Sequence, residues 1–107
     1  MKTNLEMQLF KESIKLWGIN SQILMLAEES SELSVACLHL LRESKEQNES
    51  FHNFAEEIAD VEFLIAEMKD YFSNLEKQVN KIRIEKSNRL SLKIELELGK
   101  REAETKP

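Results

Sequence analysis

Glycine and proline are scarce in this chain. There are two glycines and one proline among 107 residues, and the proline is the last of them. A sheet-rich fold of this length needs many turn residues, so their scarcity points to helices throughout. Cysteine is limited to Cys37. No internal disulfide can form, and a reducing compartment is expected. Long apolar runs are missing as well: the longest, Ile23 to Ala27, falls far short of a membrane span. The opening MKTNLEMQLF lacks the apolar stretch of a signal peptide. Basic residues are outnumbered, 15 Lys and Arg against 20 Asp and Glu, for a net charge of −5. That balance disfavours general binding to nucleic-acid phosphates but not a phosphate-bearing small molecule held through metal ions. The expectation is a soluble, cytoplasmic protein with neither a membrane nor a nucleic-acid polymer as partner.

Apolar residues make up 41% of the chain, enough for a core, and charged residues 33%, which suits long, wet helices. One domain over residues 1–107 is expected, in an all-α, four-helix-bundle-type subunit. The first helix runs from about Leu5 to Trp17. Met7, Phe10, Ile14 and Trp17 follow one stripe, while Leu5, Leu9 and Leu16 lie opposite. A helix apolar on two faces wants two partners, and in so short a chain one of them is read as another subunit. Gly18 ends this helix, and Asn20 or Ser21 caps the next, which reaches about Arg42 with the stripe Ile23, Leu26, Ser30, Leu33, Cys37 and Leu40. The polar ESKEQNES is read as a loop. Ser50 caps a third helix with the stripe Phe54, Ile58, Val61, Ile65, Met68 and Phe72. Ser73 and Glu76 have capping-box spacing before a fourth. Leu90, Leu92, Ile94, Leu96 and Leu98 alternate like a strand, but the Lys, Glu and Leu content favours helix, with Gly99 as its stop.

Two acidic knots stand among these apolar stripes, AEESSEL at Ala27 to Leu33 and AEEIADV at Ala55 to Val61. Each helical residue turns about 100°, which places Glu29 on the shoulder of the inward stripe and Glu32 about 60° beyond it. The same sum places Glu57 on the shoulder and Asp60 about 60° beyond on the third helix. Packed antiparallel, these helices bring four carboxylates together. Converging anions raise one another's pKa or draw in cations, and an all-oxygen ligand set selects Mg²⁺, Mn²⁺ or Ca²⁺. Either knot alone reads equally as a solvated face. Glu28 and Glu56 are candidate bases or supporting groups, or simply face solvent.

On the fourth helix Lys86 and Arg89 fall where the stripe Leu75, Val79, Ile82 would continue. Either the helix has outrun the core there, or the two cations reach phosphates. Trp17 and Gln22 are candidate base contacts, set against a core role for Trp17 and a capping or surface role for Gln22. Cys37 reads as an inert core residue. His39 and His52 form no ExxH pair with the acids, which counts against a di-iron carboxylate bundle.

The order and spacing of EESSE (Glu28 to Glu32) and EIAD (Glu57 to Asp60) resemble the EExxE…ExxD signature of MazG-like nucleoside triphosphate pyrophosphohydrolases. WGINSQ before the first knot and KSNRL (Lys86 to Leu90) after the second extend the similarity over about Ile14 to Leu90. The resemblance implies Mg²⁺-dependent cleavage of a nucleoside triphosphate to monophosphate and pyrophosphate, Mn²⁺ being a possible substitute, in nucleotide-pool housecleaning. It implies Glu29, Glu32, Glu57 and Asp60 as metal ligands, Lys86 and Arg89 as phosphate-binding groups, and assembly as a homodimer or homotetramer. The alternative from another class is a catalytically silent helical dimerisation or regulatory module with the same fold.

Overall fold

The computed structural model describes residues 4–42 and 48–105. These residues form four helices and no strand: α1 (Asn4–Trp17), α2 (Ile19–Arg42), α3 (Asn48–Tyr71) and α4 (Leu75–Thr105). The chain divides into two compact units, Met1–Ser73 and Asn74–Pro107. Among the described residues, no helix is long and apolar enough to cross a membrane.

In the first unit α2 packs extensively on α3, and α1 lies against both. Five residues separate two helices of 24 residues each, so a shared face along their length requires an antiparallel pair. The line of α2 that is buried or half-buried is Gln22, Leu26, Glu29, Leu33, Ala36 and Leu40. That of α3 is Ser50, Phe54, Glu57, Val61, Leu64 and Met68. Both alternate steps of four and three residues, the spacing that keeps one seam facing a helical partner. This corrects the expected stripes in part: Leu26, Leu33, Cys37 and Leu40 of α2 and Phe54, Ile58, Val61 and Met68 of α3 are buried or half-buried as expected, and Phe72 is exposed. Ile23, Ser30 and Ile65 are exposed, and burial is centred about one residue away from them. Ala36, only 1% exposed, is small enough to let the helices approach closely there. The rotation has a consequence for the acids: Glu29 and Glu57 lie within the seam, not on its shoulder.

α1 closes the unit through Phe10, also 1% exposed, whose ring meets Phe63 of α3 edge to face at 5.1 Å. Leu5, Leu9 and Leu16 stay exposed on its other side, as the two-faced pattern anticipated, but Trp17 is 64% exposed and is not a core residue. Gly18 ends α1 with φ at +82°, its N–H donating to the Ile14 carbonyl at 2.8 Å. Its own carbonyl accepts from the Gln22 N–H, so α2 begins at once at Ile19. Asn20 and Ser21 therefore lie inside the first turn of α2 and do not cap it.

Two further starts differ from expectation. α3 begins at Asn48, which places Ser50 in its first turn; residues 43–47 of the expected loop lie outside the described residues. α4 begins at Leu75, directly after Asn74, whose carbonyl accepts from the Gln78 N–H, so the start falls one residue later than a Ser73 cap would place it.

In the second unit α4 is helical through the alternating Leu and Ile segment, as its composition favoured. Gly99 does not stop it: the helix runs six residues further, to Thr105. The residues after Gly99 are good helix formers, and Arg101 donates to Glu97 one turn back at 3.3 Å, which offsets the backbone entropy of one glycine. Leu75 and Val79 are half-buried, whereas Ile82 and everything beyond it in α4 is exposed.

The two glycines are expected to respond with opposite sign to alanine. Neither would meet an atom within 4 Å with an added Cβ, so backbone preference decides. Gly18→Ala should lower stability by about 1–2 kcal/mol because φ is positive. Gly99→Ala should raise the stability of α4 by up to about 1 kcal/mol. Urea unfolding followed by circular dichroism checks both; a neutral Gly18→Ala would contradict the left-handed turn.

Candidate functional site

The rotation of the α2–α3 seam leaves carboxylates facing one another across it. Glu29 from α2 and Glu57 and Asp60 from α3 each offer an oxygen, and the three oxygens lie within 4.8 Å of one another. Glu29 and Glu57 are half-buried, and Asp60 is exposed. Glu29 Oε2 and Glu57 Oε2 are both buried without a hydrogen-bond partner. Buried carboxylate oxygens left in this way are costly, and a cation is the usual remedy.

Electrostatics bring Glu32 into the group. Burial, then the charges of Glu32, Asp60 and Glu57, push the Glu29 carboxyl up to about 7. The Glu57 carboxyl is also raised, first by burial and then by the charge of Glu32, while a hydrogen bond with Glu29 opposes the change. Glu32 itself is exposed. The result is three carboxylates in close approach and a fourth, Glu32, that raises Glu29 and Glu57 through its charge and through a hydrogen bond with each.

A cleft of about 510 Å³ opens beside the acids, within the range of small-molecule sites. α1 supplies Ser13 and Trp17. α2 supplies Ser21, Gln22, Met25 and Glu29, and α3 supplies Asp60, Phe63, Leu64 and Glu67. Its wall is thus acidic where Glu29 and Asp60 meet and largely apolar elsewhere. No family model, curated protein or solved structure matches this chain. Its chemistry is therefore read from these side chains themselves.

Of the other candidates, Gln22 is buried at 5% exposure and lines the cleft, which excludes a surface role. Trp17 lines the cleft with much of its surface open to solvent. Glu28 is exposed, and Glu56 is exposed and paired with His52 Nε2 of its own helix at 2.7 Å. Lys86 and Arg89 are exposed on α4, three residues apart on one face. Cys37 is half-buried.

Sequence reading missed Glu67. It lies seven residues after Asp60, so two helical turns place it on the same side of α3, and that spacing is the signal that would have found it. The residue is 2% exposed, its Oε1 is buried without a partner, and burial raises its carboxyl above the ordinary range.

The donor set fits a hard divalent cation. All the ligand atoms are carboxylate oxygens, with neither sulfur nor imidazole among them, and Glu29 and Glu57 each also have one oxygen buried without a partner. The metal-free protein should therefore be sensitive to pH in a defined direction. Because the folded state raises Glu29 from 4.5 to about 7, it holds that proton more tightly than the unfolded chain does. This contribution to stability is complete below about 4.5 and is lost as pH rises through 7. In EDTA the melting temperature should fall between pH 5 and 7.5, and Glu29→Gln should flatten the fall. A melting temperature that rises over that interval in wild type would show that the carboxylates do not repel.

Proposed function

We propose that this chain is a Mg²⁺-dependent nucleoside triphosphate pyrophosphohydrolase of the MazG-like kind. It converts a ribo- or deoxyribonucleoside triphosphate and water to the monophosphate and pyrophosphate, in cytoplasmic nucleotide-pool housecleaning. The observation that carries this reading is the close approach of Glu29, Glu57 and Asp60 at one side of a largely apolar cleft. A ligand suited to both regions has a polyanionic part that reaches metal and a flat, weakly polar part that leaves water. A nucleoside triphosphate has that division.

Glu29, Glu57 and Asp60 would hold Mg²⁺ or Mn²⁺, with Glu32 adding negative field. Bound there, such an ion supplies charge neutralisation for phosphates and a lowered pKa for water. The protein residues do the rest. Glu29 and Glu57, whose carboxyls are raised by burial and by the neighbouring acids, would hold such an ion in their ionised forms. Packing of α2 on α3 sets the three carboxylates side by side, which limits reorganisation during the reaction. Phe63, Leu64 and Met25 give the cleft wall its apolar surface, and Trp17 offers a ring to the cleft. The resemblance adds Lys86 and Arg89 as phosphate-binding cations.

The exposed apolar stripe of α1, Leu5, Leu9 and Leu16, supports assembly as a homodimer or homotetramer. The same stripe favours the second reading, a helical dimerisation or regulatory module without turnover.

Purified protein with Mg²⁺ and a panel of ribo- and deoxyribonucleoside triphosphates should release monophosphate and pyrophosphate, not diphosphate and phosphate. Glu29→Gln and Asp60→Asn should each cut turnover by roughly 100-fold or more while keeping wild-type helicity. Undiminished turnover in either variant would remove the metal assignment. Folded protein that is silent with Mg²⁺ and Mn²⁺ across the panel would favour the module.

A further inference from the structure

Glu67 has no task in the chemistry assigned to the acids, yet it is the most thoroughly buried charged residue described. It lines the same cleft as Gln22, and both are at least nine-tenths buried among apolar side chains such as Met25, Phe63 and Leu64. A carboxyl in that setting, with Oε1 lacking a protein partner, is costly unless a ligand completes it. Desolvation favours its neutral form, which carries one O–H donor beside one carbonyl acceptor.

Resting on the pyrophosphohydrolase reading above, we propose that Glu67, assisted by Gln22, reads the hydrogen-bonding edge of the nucleobase and selects an amino-substituted heterocycle of the cytosine or adenine type. Such a base presents a ring nitrogen acceptor beside an exocyclic amine donor, the counterpart of a carboxylic acid. The acid O–H donates to the ring nitrogen, and the acid carbonyl accepts from the amine. A ring nitrogen is a stronger acceptor for that hydroxyl than the carbonyl oxygen a uracil offers. Guanine, like uracil, offers a carbonyl oxygen (O6) beside a ring N–H, so there too the hydroxyl has only the weaker acceptor; its other pair, N1–H beside the 2-amino group, presents two donors and calls for an ionised carboxylate that the apolar wall disfavours. Selection of this kind is effective because a wrong base leaves a buried polar group unpaired.

Trp17, the only tryptophan in the chain, lies at the cleft and reports its occupancy by fluorescence. Non-hydrolysable α,β-imido triphosphates of cytidine, adenosine, uridine and guanosine are titrated in Mg²⁺, with magnesium tripolyphosphate as a probe that carries no base; calorimetry follows the same titrations. The cytidine or adenosine analogue should bind at least tenfold more tightly than the uridine and guanosine analogues. Glu67→Leu should reduce that preference to less than threefold, and Glu67→Gln, which keeps a donor and an acceptor, should retain part of it. Leucine also removes a buried carboxyl whose Oε1 has no partner, so its ligand-free melting temperature should not fall. Should Glu67→Leu fail to fold, Glu67→Met and Gln22→Leu must each weaken the same ranking. Equal binding of the four bases by wild type, or an unchanged ranking in Glu67→Leu, overturns the proposal. If tripolyphosphate binds with Mg²⁺ but the bases are not ranked, this inference alone falls; if tripolyphosphate does not bind either, the pyrophosphohydrolase reading falls with it.

Discussion

Packing of α2 against α3 sets two demands in opposition. Apolar side chains along the seam, with Ala36 fully buried among them, draw the helices together. The same approach brings Glu29, Glu57 and Asp60 to within 4.8 Å and takes water from two of their oxygens. The seam cannot close on its apolar residues without also closing on its acids. Protonation is one way to relieve the conflict, and the elevated Glu29 carboxyl expresses it. A divalent cation is the other, and it leaves the carboxylates ionised and useful.

The cleft beside these acids has an internal asymmetry. At the acids, the protein has a surplus of negative charge and a shortage of donors. Along the rest of the wall, apolar surface is interrupted by Ser13, Ser21, Gln22 and Glu67. These environments differ because α1 covers the seam through Phe10 and Phe63, placing aromatic surface next to the carboxylates. Gly18 makes that cover possible. Its positive φ turns the chain between α1 and α2 within a single residue, so that Ser13 and Trp17 reach a wall that α2 and α3 begin.

Much of the fold was legible in the sequence. The helical period of the apolar residues, the lack of turn residues and the glycine at position 18 were enough for four helices and for the end of α1. The candidate acids were legible as well, since i, i+3 carboxylates beside an apolar stripe are a local pattern. Gly99 shows where local reasoning fails. Glycine weakens a helix in any context, but it ends one only when the backbone takes a left-handed turn, as at Gly18 and not at Gly99.

Periodicity determines which residues share a helix face, because it depends on the 100° step alone. It does not determine how that face is turned toward its neighbours. Tertiary packing decided the turn, moving burial from Ile23 and Ser30 to Gln22, Glu29 and Ala36, and from Ile65 to Leu64. Only that turn carried Glu29 and Glu57 into the seam. Burial of Glu67 likewise has no local signature, since desolvation is a property of what surrounds a side chain and not of its neighbours in the chain. The sequence by itself determined the helices and the inventory of acids. The packed unit decided which acids meet, which lose water, and which of them, Glu67, lines the cleft with one buried oxygen left unpartnered.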